Sequence, residues 1–185
     1  MGGHEKVMID YFDGFEHYDD RDILYHWTNN GGLKTLQQLE EMNSEDRNKL
    51  LAWVKTKPYY KIIKVKGKMY ILSHAGYDTE KPIEEHTWDN FMRGRDFYQK
   101  KLSGDYISIF GHTPTPLLWK EEGYKRNCAI WIDRKNKDKI CIDSACYFGG
   151  SLSALRLDDG KAFYVHNPTG RYSVQSDIET VLDII

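Results

Sequence analysis

Two histidines in this sequence stand at the ends of apolar runs. One run is Ile71-Leu72-Ser73-His74-Ala75-Gly76, the other Ile107-Ser108-Ile109-Phe110-Gly111-His112-Thr113-Pro114. In each, a buried-type strand delivers the imidazole and a small residue lies beside it. Strand ends of α/β sheets are where ligand sites gather, and a rigid strand fixes the ring. The small neighbours leave room for a substrate or an ion. A neutral imidazole is a common metal ligand and titrates near neutral pH. The matched contexts predict that His74 and His112 converge. His17, His26, His86 and His166 lack such a context. His4, in Gly2-Gly3-His4-Glu5, carries no meaning by itself. The three cysteines, Cys128, Cys141 and Cys146, have no metal-knuckle spacing, and Cys141 and Cys146 read as buried thiols rather than a redox pair. There is no Gly-x-Ser-x-Gly elbow and no Walker loop.

The elements that must position these residues change character along the chain. Residues 1–57 read mainly as helix. Lys34–Met42 puts Leu36 and Leu39 on one face, and Ser44–Thr56 does the same with Leu50, Leu51 and Val54. Asn43 or Ser44 can cap the second of these, with Glu45 and Asp46 in its acid-favouring first turn. Asn29-Asn30-Gly31-Gly32 predicts a turn, and Asp13-Gly14 another. After Pro58 the period becomes two. Tyr59–Val65 and Lys68–Ser73 flank Lys66-Gly67 as a hairpin. Residues 83–102 are helical or irregular. Then come short strand-like runs at Asp105–Phe110, Cys128–Asp133, Lys139–Asp143, Leu152–Leu157 and Ala162–His166. Turn residues at Asn136–Asp138, Gly149-Gly150 and Asp158-Asp159-Gly160 separate the later ones. The β-rich stretch is expected to form one sheet with the strands ending at His74 and His112. The mixture implies an α/β or α+β fold.

Composition narrows the function classes. The 185 residues carry 26 Lys+Arg against 28 Asp+Glu, a formal charge of −2, and the pI is near 6.4. A general nucleic-acid binder would show a basic excess. No apolar run approaches the ~20 residues of a membrane span, and the charged start is unlike a signal peptide. The odd cysteine count favours a reducing, cytoplasmic compartment over a disulfide scaffold.

Taken in order, Gly-His-Glu, His-Ala-Gly and Gly-His-Thr resemble the second half of the calcineurin-like metallophosphoesterases, closest to the bacterial and phage Ser/Thr protein phosphatase type. Trp27-Thr28-Asn29-Asn30-Gly31-Gly32-Leu33-Lys34-Thr35-Leu36 resembles the Trp-x-x-Asn-Gly-Gly-x-x-Thr stretch of that branch. Cys141-Ile142-Asp143-Ser144-Ala145-Cys146-Tyr147-Phe148-Gly149-Gly150 resembles its closing segment. The resemblance implies part of a four-layer α/β/β/α sandwich, with a helical insert at about 6–57 and the strand and ligand part at about 58–185. It implies two divalent metals, manganese first and iron or zinc as alternatives, that clamp a phosphoryl group and supply a hydroxide. His74 and His112 would bind the second metal, and His4 would protonate the leaving oxygen. Arg95, or else Arg93, would hold phosphate oxygens as a fork. The substrate would be a phosphorylated protein or a small phosphoester such as a dinucleoside polyphosphate.

The sequence also departs from that pattern. Gly-Asp-x-His-Gly and Gly-Asp-x-x-Asp-Arg-Gly, which would supply the first metal's ligands and the bridging Asp, are not found in it, and Gly3 stands where the family has a ligand Asn. The chain is therefore expected to be one incomplete domain, 1–185, that lacks the N-terminal strands. It should bind one metal at most and be nearly inactive alone. A non-catalytic binding module is the rival expectation. Self-association or a complementing N-terminal segment would cover the apolar face left open.

Overall fold

The switch in apolar period near Pro58 coincides with a division of the chain into two units, Met1–Tyr59 and Tyr60–Ile185. A computed structural model describes residues 1–14, 20–94, 96–125 and 127–168, with backbone alone at 20, 21, 23, 93 and 96.

The first unit is helical. α1 spans Gly3–Asp13, α2 Asp20–Trp27, α3 Leu33–Glu41 and α4 Ser44–Lys55. Gly2 is the N-cap of α1, and its amide donates to the Glu5 carboxylate at 2.8 Å. Asn43 caps α4 as its sequence predicts, accepting from the Asp46 amide at 2.9 Å. Gly14, at φ 79°, ends α1. The Asn-Asn-Gly-Gly segment forms a kinked π-type turn, Thr28–Gly32, in which Gly31 takes φ 95°. A side chain on Gly32 would run into the Trp27 ring, 2.5 Å from its indole nitrogen. Asn29 and Asn30 donate to the Tyr25 and His26 carbonyls at 2.8 Å, satisfying acceptors that the end of α2 leaves open. The apolar stripes of the four helices meet in a core of Met8, Ile9, Trp27, Leu36, Leu39, Leu51 and Val54.

The second unit is built on a five-stranded mixed sheet. β1 (Tyr60–Val65) and β2 (Lys68–Ser73) form the expected antiparallel hairpin, turning through Lys66 and Gly67 at positive φ. β3 (Tyr106–Phe110) runs parallel to β2, and β5 (Lys139–Cys141) runs parallel to β3. β4 (Trp131–Ile132) pairs antiparallel with β5 at the far edge. The order across the sheet is β1-β2-β3-β5-β4. Alternation sends Ile71, Phe110, Cys141 and Trp131 to one face and Tyr70, Ile109, Ile140 and Ile132 to the other. The first face is covered by Tyr77, Ile83, Phe91, Phe97 and Leu102, from α5 (Trp88–Arg93) and its flanking turns, and by Leu118 and Trp119 of α6 (Thr115–Glu121).

The last hairpin corrects the one-sheet expectation. β6 (Ser151–Leu155) and β7 (Ala162–His166) form a separate two-stranded sheet, joined outside it by a single bridge between Ser151 and Ala145. The ribbon stacks on the second face of the large sheet instead of extending it. Its inward residues Leu155, Ala162 and Tyr164 pack on the Tyr70–Ile140 cluster. Ser153 Oγ donates to the Ile142 carbonyl at 2.6 Å, and the Ile130 amide donates to the Tyr164 hydroxyl at 3.0 Å. The unit is thus mixed α+β with two stacked sheets.

Candidate functional site

Three adjacent parallel strands deliver residues to one edge. β2, β3 and β5 are in register at Leu72↔Ile109 and Phe110↔Cys141. The residues just beyond their carboxyl ends, His74, His112 and Asp143, therefore emerge side by side. Backbone bonds tie the three ends together. The Gly111 amide donates to the His74 carbonyl at 3.0 Å, the Ile142 amide to the Phe110 carbonyl at 2.9 Å, and the Thr115 amide to the Asp143 carbonyl at 2.8 Å. A Cβ on Gly111 would lie 3.6 Å from the Asp143 Cβ and 3.6 Å from the His74 carbonyl, so the three ends are in van der Waals range.

The two sequence-predicted histidines meet. Their ring centroids are 5.0 Å apart with planes at 53°, and both are half-buried. His112 sits at φ 66°, in the left-handed region that a non-glycine residue seldom occupies. Such backbone strain clusters at binding and catalytic sites, where the surrounding fold holds it in place. Here the Thr113 amide, bonded to Gly111 O at 2.7 Å, and the Cys141 thiol, bonded to Thr113 O at 3.2 Å, hold the turn.

Asp143 was not singled out as a site residue by its sequence, where it belongs to a closing strand and turn. The signal that found the histidines applies to it equally: a polar side chain one or two positions past an apolar strand. The Ala145 amide donates to its Oδ1 at 3.1 Å. The negative field of this carboxylate is felt by its neighbours. Burial, and then Asp143, pushes the Cys128 thiol up to about 11. Burial likewise raises the Cys141 thiol, outweighing a hydrogen bond with the Asp143 backbone that lowers it. Both thiols stay protonated near neutral pH and are poor nucleophiles or ligands. All three cysteines are free.

No family model and no curated protein matches the chain.

The small residues beside His74 do something other than leave room for a ligand. A Cβ on Gly76 would sit 1.8 Å from the Phe97 ring, and one on Gly94 would sit 2.5 Å from the Gly76 backbone. The two glycines form a bridge, and the Gly76 amide donates to Gly94 O at 2.9 Å. Ala75, fully buried, donates its amide to Phe91 O at 2.8 Å. The Ala-Gly pair thus lets the α5 segment close on the strand behind His74. Gly76→Ala is expected to cost about 1–3 kcal/mol, because the buried Phe97 ring must move. Urea unfolding would measure it, and a loss within ±0.5 kcal/mol would refute this packing role.

His4 is exposed in the first turn of α1, in the other unit. Arg93 closes α5, with only its backbone described, and Arg95 lies outside the described residues. His17 does too. His86 is held by the carbonyls of Pro82, Ile83 and Asp78, and His166 by Ser151 Oγ at 2.9 Å, both within local structure. Among the described residues, no three His, Cys, Asp or Glu side chains are grouped so as to hold a metal ion. No described helix is long and apolar enough to cross a membrane.

Proposed function

We propose that the strand-end edge is half of a phosphoesterase centre, in which His74 and His112 hold one divalent metal and the intact site hydrolyses phosphate monoesters of Ser or Thr. The observation that supports this is the meeting of the two imidazoles, 5.0 Å apart at the ends of adjacent parallel strands. Two nitrogens at ~2.1 Å from one ion require rings about this close. The donor set fits one ion's pair of imidazoles and not a full two-metal centre. When bound, the metals of such a centre polarise the phosphoryl group and make hydroxide available near neutral pH. What this chain's residues do is narrower. The strands orient the imidazoles, and the Asp143 carboxylate makes the edge attractive to a cation. His4, as a proton donor, and Arg95 or Arg93, as a phosphate fork, complete the proposal.

Calorimetric titration of the chain with zinc or manganese tests it. One equivalent is expected to bind. His74→Ala and His112→Ala should each weaken it by about tenfold or more, as loss of a metal's partners typically does, while His26→Ala leaves it unchanged. Absence of binding, or binding indifferent to both histidines, would remove the metal reading.

A second reading is a phosphatase-like binding module without turnover. Gly3 favours it: as the first residue of α1 it offers no side chain where the family pattern has a ligand. Metal-dependent capture of a phosphate monoester that is still not hydrolysed once the two missing motifs are supplied would be its signature.

A further inference from the structure

A cleft of about 290 Å³ opens on the face of the large sheet that α5 and α6 cover, about the size of the smallest ligand pockets. Leu118 and Trp131, both buried, line its floor, and Tyr98 lines one wall. The Tyr98 and Trp131 rings meet edge to face with centroids 6.2 Å apart. Glu121, the last residue of α6, Glu122, its C-cap, and Asp133, in the turn that enters β5, bring three carboxylates to the cleft. It thus lies at the entry end of β5, whereas Asp143 follows the exit end.

The three carboxylates differ in what they already hold. Asp133 is committed to the Lys139 ammonium and to the Lys135 and Asn136 amides. Glu121 accepts the Tyr98 hydroxyl at 2.7 Å, which fixes it at the rim. Glu122 is the one left poorly answered. It faces the Trp131 indole, whose N–H is buried and closes no hydrogen bond. Trp131 is only 3% exposed, and a buried donor left open calls for a partner. Burial raises the Glu122 pKa, against the indole and Arg134, which favour its charged form. The C-terminal end of a helix also disfavours acids and favours cations. Lys135 is the basic residue of this wall, and its side chain is exposed. A cation that keeps Glu122 charged would let one carboxylate oxygen take the indole N–H and the other take the ligand.

The spacing of the acids selects the kind of cation. Among the described residues no three His, Cys, Asp or Glu side chains are close enough to hold a metal ion, so these acids suit a larger head. A guanidinium is planar, presents N–H groups along its edges and lies well against aromatic rings. The chain holds one of its own in this way beside the cleft. Arg134 lies 5.3 Å from the Trp119 ring centre and 5.0 Å from that of Tyr124, and donates to the Tyr124 hydroxyl at 2.7 Å. We infer that the cleft binds an alkylguanidinium group, with Glu121 and Glu122 pairing with its N–H edges and Tyr98 packing on its plane. The inference does not rest on the phosphoesterase reading.

Titration of the full chain with N-acetylarginine amide tests it, followed by NMR at the assigned indole N–H resonance of Trp131. A saturable shift with a dissociation constant of about 1 mM is expected for so small a ligand. N-acetylcitrulline amide, the uncharged isostere, and N-acetyllysine amide should bind about tenfold more weakly or worse. Glu121→Gln and Glu122→Gln should each weaken arginine binding by about tenfold. Both side chains are exposed, so the fold should tolerate the changes. Glu45→Gln, in α4, should leave binding as it is. Ethylguanidinium and the peptide acetyl-Gly-Arg-Gly amide separate the two sources of the group. A peptide about tenfold tighter points to an arginine of a protein segment, and one that is not points to a free guanidine; both uphold the guanidinium assignment. No saturable shift, an equal response to the citrulline or lysine derivative, or binding indifferent to both glutamates would overturn it. The ligand comparison needs no variant, so the outcome does not hang on any substituted chain folding.

Discussion

Purified by itself and given millimolar manganese, the chain should hydrolyse p-nitrophenyl phosphate at a rate close to that of buffer. The reason lies in the donor count. Two imidazoles at the ends of β2 and β3 can hold one ion. A two-metal mechanism needs a second ion and a bridging carboxylate to generate the nucleophile. Without them what is missing is the attacking species itself, and good phosphate positioning cannot replace it. Fusing an upstream segment that bears Gly-Asp-x-His-Gly and Gly-Asp-x-x-Asp-Arg-Gly, together with Gly3→Asn, should raise turnover about a thousandfold or more. In that restored chain His112→Ala should return activity to background, because the proposed site would lose one of its two imidazoles. Robust manganese-dependent turnover by the unmodified chain would show that other carboxylates complete the site, with Asp143 the first to examine. Restored turnover indifferent to His112→Ala would place the chemistry elsewhere.

The convergence of His74 and His112 was legible because it follows from local rules. Each imidazole ends an apolar run, and parallel strands place their carboxyl ends at one edge. The helices α3 and α4 were legible from spacing, and the Asn43 cap from residue type. Other features depended on long-range information. The β6–β7 pairing is written in Asp159-Gly160, but a hairpin signal says nothing about whether the ribbon extends a sheet or stacks on it. That choice is made by Tyr164 and Ser153 reaching polar backbone groups of the large sheet. The role of Gly76 required knowing that Gly94 and the Phe97 ring press against it, and no local pattern joins them. α6 was missed because Thr115-Pro116-Leu117-Leu118-Trp119 is too short for a period. Its signal was Pro116 in the first turn, a position proline favours, before the buried pair Leu118 and Trp119. Asp143 was missed because the turn chemistry of its neighbours masked a strand end of the same kind as the other two.

The support behind that third strand end makes the second large prediction. Lys139, at the start of β5, is completely buried, and its ammonium lies 3.1 Å from Asp133 Oδ2 and 2.5 Å from Asp138 Oδ1. Neither carboxylate is otherwise idle. Asp133 accepts from the Lys135 and Asn136 amides and from the Asn136 side chain, closing the turn before β5, and Asp138 accepts the Leu102 amide at 2.8 Å. Burial alone would raise the Asp133 pKa. The Asn136 backbone and side-chain hydrogen bonds, helped by Lys139, outweigh it and hold the carboxyl below its usual value. A carboxyl whose folded pKa lies below its unfolded value stabilises the fold above the unfolded pKa near 3.8 and loses that contribution as pH falls through the folded value. The Asp133 contribution should thus be constant from neutral pH down to about pH 5 and fade in stronger acid. Lys139→Met should be far more damaging at neutral pH, by about 3–5 kcal/mol, because it strands two carboxylates in the interior without their cation. Adding Asp133→Asn and Asp138→Asn should recover much of that loss, since each amide oxygen can still accept the backbone hydrogen bonds from Lys135 and Asn136 and from Leu102, with only the Asn136 side-chain bond given up. Urea denaturation of the three chains decides it. A loss under about 1 kcal/mol for Lys139→Met, the range of exposed pairs, would mean that the ammonium reaches water. A triple variant no more stable than the single one would mean that the lysine's packing, not the stranded charge, supports β5 and the Asp143 end.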